Sequence, residues 1–355
     1  MTGPIQAVSI GHMPASSVLP ADLLAALQRI GEALEQQTSL ARDYQGVVEC
    51  LNALPPASLA QVEREIFQTA RLYHLAYRRR EASSIFKKWF GSKLTDDAQL
   101  RRTPGLEYLF LFHRDGRIRE AALRKIAHPI PSAFLFVAIA WRLNDWATQV
   151  RAAAADCATR VFPTTPPEVI AEGAMILLQR NNSWRRWDAE RLRLDDAFAR
   201  PDVAEKLANL LATRSTGPSA TILRYALRNA SMDDHLVRLA REAVQPAVRA
   251  VAIQALIDGF TSWPNGLRWR WIDKSMGVRR VETIFEKRVL TARPNRIVQI
   301  ELGLRDQSAA VRNVAISSVI RYRDEIPNAE RFAEPLLSDP SRCVRDRAEF
   351  VLRPR

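Results

Sequence analysis

Cysteine is scarce in this chain of 355 residues: there are three, Cys50, Cys157 and Cys343, and no CxxC pair. Their wide separation suggests neither a zinc site nor a disulfide framework, so a reduced, cytoplasmic setting is expected. Glycine is sparse at 13 residues, and polar–apolar alternation is rare, which argues against a strand-rich fold. No apolar run approaches the roughly 18 residues of a membrane span. The longest, from Ile130 to Trp141, reads as a buried helix. The N-terminus lacks a basic segment followed by an apolar one, so no secretory signal is indicated, and residues 1–20 read as disordered by composition.

Catalytic signatures are also missing. There is no Walker loop, no GxSxG elbow and no HExxH pair. His113-Arg114-Asp115 matches the start of a protein-kinase catalytic loop, but residue 120 is Glu where that motif needs a metal-binding Asn. The five histidines are scattered. No catalytic residue, metal or cofactor is therefore expected, and no membrane association.

What is present is a composition that folds: 47% hydrophobic and 26% charged, with Ala, Leu, Arg and Glu in helical register. Lys and Arg number 52 against 39 Asp and Glu, giving +13 and a pI near 10.3. That balance favours an acidic macromolecular partner, either DNA, RNA or an acidic protein surface, although an arginine-rich coding bias would give the same excess.

Five short segments share one pattern: "GRIREAAL" (116–123), "TQVRAAAA" (148–155), "PAVRAVAI" (246–253), "AAVRNVAI" (309–316) and "RCVRDRAE" (342–349). In each, an apolar residue precedes an arginine and lies four residues before an alanine. Ile118/Ala122, Val150/Ala154, Val248/Ala252, Val311/Ala315 and Val344/Ala348 thus share a packed helix face, and the small alanine admits a neighbouring helix. Asp145, Asp306 and Asp339 stand five residues ahead of their valines, where a carboxylate can accept free N–H groups at a helix start. The spacing is 32 residues from Ile118 to Val150 and 33 from Val311 to Val344. The intervals of 98 residues (Val150 to Val248) and 63 (Val248 to Val311) read as three periods and two. They predict further copies at Trp184-Arg185, at Ile222/Ala226 and at Val278-Arg279.

On these residues the chain resembles the HEAT-repeat proteins with short HEAT-like repeats, over roughly residues 104–355. The resemblance implies an all-α fold: a right-handed α-solenoid of about eight helix pairs, the Val-Arg helix outside and the second helix of each pair lining a concave groove. It also implies that Arg119, Arg151, Arg249, Arg279, Arg312 and Arg345 form, with the aspartates, a structural ladder between repeats. Residues 21–103 read as an N-terminal helical cap, with one helix from Asp22, another starting after Pro55-Pro56 and continuing to a break at Gly91.

Three stretches concentrate bases and aromatics. In 71–93, Arg71, Arg78, Arg79, Arg80, Lys87, Lys88 and Lys93 meet one acid, Glu81, with Tyr73, Tyr77 and Trp89 interleaved. The rings could stack while the cations bind phosphate, or the rings could turn inward and leave the cations in water. In 181–196, Trp184 and Asp188 replace the valine and alanine of the repeat, beside Arg185, Arg186 and Trp187. They suit a stacked base or a cationic group, or else the tryptophans fill an irregular helix pair. In 263–280, Trp269 and Trp271 flank Arg270 where a groove-lining helix is expected. That placement makes Arg268 and Arg270, with Arg142 and Arg180 on earlier inner helices, candidates for the concave face and the tryptophans candidates for the core.

The expected function is a non-enzymatic scaffold whose basic groove holds an acidic partner. The alternative is an enzyme similar to the HEAT-like alkylpurine DNA glycosylases, for which Trp184, Trp187 and Asp188 would be the residues to consider. A HEAT-like bilin lyase is a third resemblance, supported by the repeat alone.

Overall fold

The structure, a computed structural model, describes residues 17–36, 38, 40, 44–73, 96–180, 184, 186, 189–292 and 294–353. The chain divides into two units, residues 1–54 with 58–122, and residues 55–57 with 123–355. The described residues are mostly helical, as expected, but they also hold a two-stranded antiparallel sheet.

In the first unit, α1 (Ala21–Gln36) packs on α2 (Tyr44–Asn52) and α3 (Leu59–Thr69), and α4 (Asp96–Arg102) packs on α5 (Leu106–Phe110). The apolar stripe Leu23, Leu27 and Ile30 is fully buried, as its helical spacing requires. The helix that begins after the proline pair ends at Thr69 rather than running on toward Gly91. Arg71 takes a positive φ of 51° and pairs with Glu32 and Glu35. The His-Arg-Asp triplet is structural: buried His113 reaches Asp96 at 3.2 Å and accepts the Asp115 N–H on Nδ1. Helix α6 (Gly116–Lys125) carries the first Arg motif.

The second unit contains α7 (Ala133–Arg142), α8 (Thr148–Val161), α9 (Pro167–Arg180), α10 (Arg191–Ala199), α11 (Pro201–Thr213), α12 (Ser219–Ala226), α13 (Leu236–Glu242), α14 (Pro246–Asp258), α15 (Arg296–Leu304), α16 (Ala309–Arg321), α17 (Glu330–Ala333) and α18 (Arg342–Leu352). Alternate helices touch: α7, α9, α11 and α13 pack in succession, as do α12, α14, α16 and α18, while α8 packs on α10. The apolar/alanine pairs Val150/Ala154, Val248/Ala252, Val311/Ala315 and Val344/Ala348 are all buried. Helices approach closely at Gly303 of α15, where a Cβ would stand 2.8 Å from the Ala315 Cβ and 3.1 Å from Ile253. A side chain at 303 would force α14, α15 and α16 apart.

The repeated arginines behave alike. Arg119, Arg151, Arg249, Arg312 and Arg345 each donate from Nη1 to the carbonyls six and five residues earlier, for example Arg312 to Asp306 and Gln307, both at 2.9 Å. Each arginine thus ties its helix to the turn before it. Two also cross to the next copy: Arg249 grips Asp306 at 2.7 and 2.9 Å, and Arg312 grips Asp339 at 2.6 and 2.9 Å. Arg151 reaches Glu190 at 3.4 Å. The aspartates accept the N–H two residues on, at Ala147, Ser308 and Ser341, which fixes the turn into each helix. Burial would raise the Asp306 carboxyl, but its bonds from Arg249 and Ser308 outweigh that and hold it below the usual range; Arg312 does the same for Asp339.

Two of the three interpolated copies fall elsewhere than expected. Ile222 and Ala226 are buried on α12, in the expected place. Trp184 opens no helix, and Arg185 lies outside the described residues. The helix in that slot is α10, beginning at Arg191 and burying Leu194 and Phe198, and Glu190 takes the ladder position. Val278-Arg279 belongs to no helix at all: residues 260–289 form a hairpin, β1 (Phe260–Asp273) paired with β2 (Val278–Val289). Because Arg249 meets Asp306 directly, the 63-residue interval is one repeat step of 33 plus a 30-residue insertion. The two-period reading was arithmetically possible and structurally wrong.

Candidate functional site

The hairpin leaves the helical body at Gly259, the left-handed residue (φ 72°) that ends α14, and returns at Leu290, whose N–H donates to the Gly259 carbonyl at 3.0 Å. Its root is held firmly. Thr261 and Trp263 are buried, β1 packs on α12 and α14, and Arg228 lies over the Trp263 ring at 5.8 Å. From β2, Arg288 donates to the Leu227 carbonyl at 2.8 Å and the Asn229 carbonyl at 3.0 Å, and its guanidinium closes on Asp233 at 2.5 and 2.9 Å. Thr291 adds its N–H and hydroxyl to the same carboxylate at 2.8 and 2.7 Å.

Burial would raise the Asp233 carboxyl, yet the Arg288 and Thr291 bonds prevail and lower it. A carboxylate depressed in the folded state stabilises at and above its ordinary value and loses that contribution as pH falls through the folded value. Amide exchange at the hairpin root, corrected for intrinsic rate, is therefore expected to be level from neutrality to about pH 5 and to rise below about pH 4, the ordinary Asp range. Asp233→Asn should show the raised exchange already at neutral pH; unchanged protection in that variant would refute the clamp.

Beyond the root, every residue from Gly266 to Val281 is exposed. Residues opposite one another in an antiparallel pair point to the same face. Trp269 faces Val281, Trp271 faces Arg279 and Leu267 faces Thr283, so one face carries both tryptophans with Arg279. The Arg279 guanidinium sits 4.5 Å from the Trp269 ring centre and 5.8 Å from that of Trp271. The tryptophans are 59% and 49% exposed. The other face holds Arg268, Arg270, Arg280 and Glu282, where Glu282 takes Arg268 at 3.5 Å and Arg270 at 3.0 Å. Those bonds, Arg270 first, lower the Glu282 carboxyl. Arg270 and Arg280 stand directly opposite each other, a like-charge pair that weakens the ribbon. Between Gly266 and Val281 there are five basic side chains and one acid, Asp273. Among the described residues Arg279 and Arg280 make no ion pair.

The other candidates divide. Arg142 is buried and bound to Asp145 at 3.2 Å, which makes it a structural residue rather than a partner contact. Arg180 is exposed at the end of α9. Trp184 is half-buried and meets Trp141 edge-on at 5.6 Å; Arg186 is exposed, its N–H on Asn144. Arg185, Trp187 and Asp188 lie outside the described residues, as do Arg78, Arg79, Arg80, Lys87, Lys88 and Trp89. Arg268 and Arg270 are exposed as a contact residue should be, but on the hairpin and not on a groove helix. Trp269 and Trp271, expected in the core, are on the surface, and Arg279, expected in the ladder, joins them.

Among the described residues no group of His, Cys, Asp or Glu could hold a metal ion, and no helix is long and apolar enough to cross a membrane. The three cysteines are free, and burial pushes the Cys157 thiol up to about 12. Comparison with protein families, curated proteins and solved structures gives no match.

Proposed function

We propose that this chain is a non-enzymatic binding scaffold of the HEAT-like type, an α-solenoid working in the cytoplasm that engages an acidic macromolecule. The observation that carries the reading is the exposed hairpin, rooted by the half-buried Arg288–Asp233 pair and bearing five bases against one acid from Gly266 to Val281. A two-stranded ribbon exposed on both faces gains little from packing, and exposed apolar area together with excess positive charge marks a contact surface. The helical body serves as the mount. Its repeated arginines are occupied by carbonyls and carboxylates and leave little charge for a ligand, so the contact is assigned to the hairpin in preference to a groove.

Binding of the full-length protein to heparin, to acidic polypeptide and to nucleic acids across a salt series tests this. Affinity for at least one polyanion is expected to fall steeply and log-linearly with salt, by about tenfold or more between low and physiological ionic strength. Weak binding with a flat response to all of them overturns the proposal.

A further inference from the structure

We propose that the Trp269, Arg279 and Trp271 face of the hairpin is a stacking platform for single-stranded nucleic acid. This deepens the acidic-partner reading and rests on it. Trp269 and Trp271 are two residues apart on one strand, so their rings project from the same face roughly 7 Å apart, twice the rise per strand residue. That interval admits an unstacked base against each indole, and a single strand can present its bases that way because they are not already paired. Every base has a π-face, so the platform needs no particular sequence. Arg279, held over Trp269 at 4.5 Å and across from Trp271, adds a cation beside the stacked bases. Arg268, Arg270 and Arg280 lie on the opposite face of the same ribbon, the first two bound to Glu282, and Lys274 lies in its turn; together they give the ribbon a positive charge that attracts the phosphates.

The competing occupants fit less well. A second copy of the chain would bring another +13 body and another basic hairpin, and like charge opposes that pairing. An acidic peptide would satisfy the arginines and leave both indole faces wet. In a duplex the bases are stacked on one another, and opening a step to reach an indole has a cost that a single strand avoids.

The deciding experiment uses full-length protein with labelled oligothymidylate, the same length of RNA, and duplex DNA, read by anisotropy and by tryptophan quenching. Single strands are expected to bind more tightly than duplex, with quenching. W269A/W271A is expected to weaken single-strand binding about tenfold or more, while W269F/W271F retains most of it. R280A should lower the salt slope by about one, as loss of one phosphate contact does. Circular dichroism and melting should be unchanged in all three variants, since these residues touch no core. If polyanions bind with a steep salt slope but without single-strand preference, or equally well to W269A/W271A, the platform is wrong and the acidic-partner reading stands. Binding of acidic polypeptide without nucleic acid likewise removes the platform and keeps the acidic partner. No binding of any polyanion overturns both.

Discussion

Arg249→Ala is expected to lower the stability of the second unit by about 3–5 kcal/mol, the range for breaking one side of a buried ion pair. The side chains of Arg249 and Asp306 are 6% and 10% exposed, and they share two bonds. Truncation strands the Asp306 carboxylate with only the Ser308 N–H and leaves the Ala243 and Val244 carbonyls without their guanidinium donor. For a unit of this size the melting temperature should fall by roughly 10 °C. Arg345→Ala provides the scale. That arginine makes the same two carbonyl bonds, at 2.6 and 3.1 Å, but among the described residues it binds no carboxylate, so about 1 kcal/mol is expected. The pair R249M/D306L should recover most of the loss, because no charge is then left buried alone. Equal effects of Arg249→Ala and Arg345→Ala in thermal melts would show that the crossing to Asp306 contributes nothing.

How far this was legible in the sequence differs from element to element. The Val-Arg-x-x-Ala segments were legible because one physical demand, a buried valine and alanine four apart beside an arginine that closes the preceding turn, recurs with little variation. Ile222/Ala226 kept the packing and lost the arginine, and was still readable. The hairpin was not, although its signals are present. "LRWRW" alternates strictly, "VETIFEKRV" is rich in β-branched and aromatic residues, and "KSMG" supplies a turn. The period hid them. An insertion of 30 residues is nearly one repeat long, so Val278-Arg279 fell where a repeat was due. Helical spacing would put Trp269 and Trp271 on different faces with one of them inward, whereas strand alternation puts both on one exposed face. The same error displaced Trp184, whose slot is filled by α10, beginning at Arg191. Arg142 could not be sorted from sequence, since its burial depends on an Asp145 three residues away closing over it.

Replacing residues 266–283 by a two-residue Asn-Gly turn is expected to leave the fold intact and to remove partner binding. Asn-Gly suits a tight hairpin connection, and the retained strand ends keep the root: Trp263 opposite Glu286, Arg288 on Asp233, and the Leu290 N–H on Gly259. No buried side chain is deleted, because Gly266 to Thr283 contributes none to the core. The ladder bypasses the insertion through Arg249 and Asp306, so α14 and α16 still meet as consecutive copies. Melting should shift by no more than about 2 °C, the change expected for less than 1 kcal/mol in a unit of this size. Loss of five bases, two acids and two exposed indoles should weaken polyanion binding by about a hundredfold at low salt, since each phosphate contact and each stacked base contributes separately. A shortened protein that melts as before and still binds would place the contact surface on the helical body, while one that fails to fold would mean the hairpin is part of the structure it was taken to decorate.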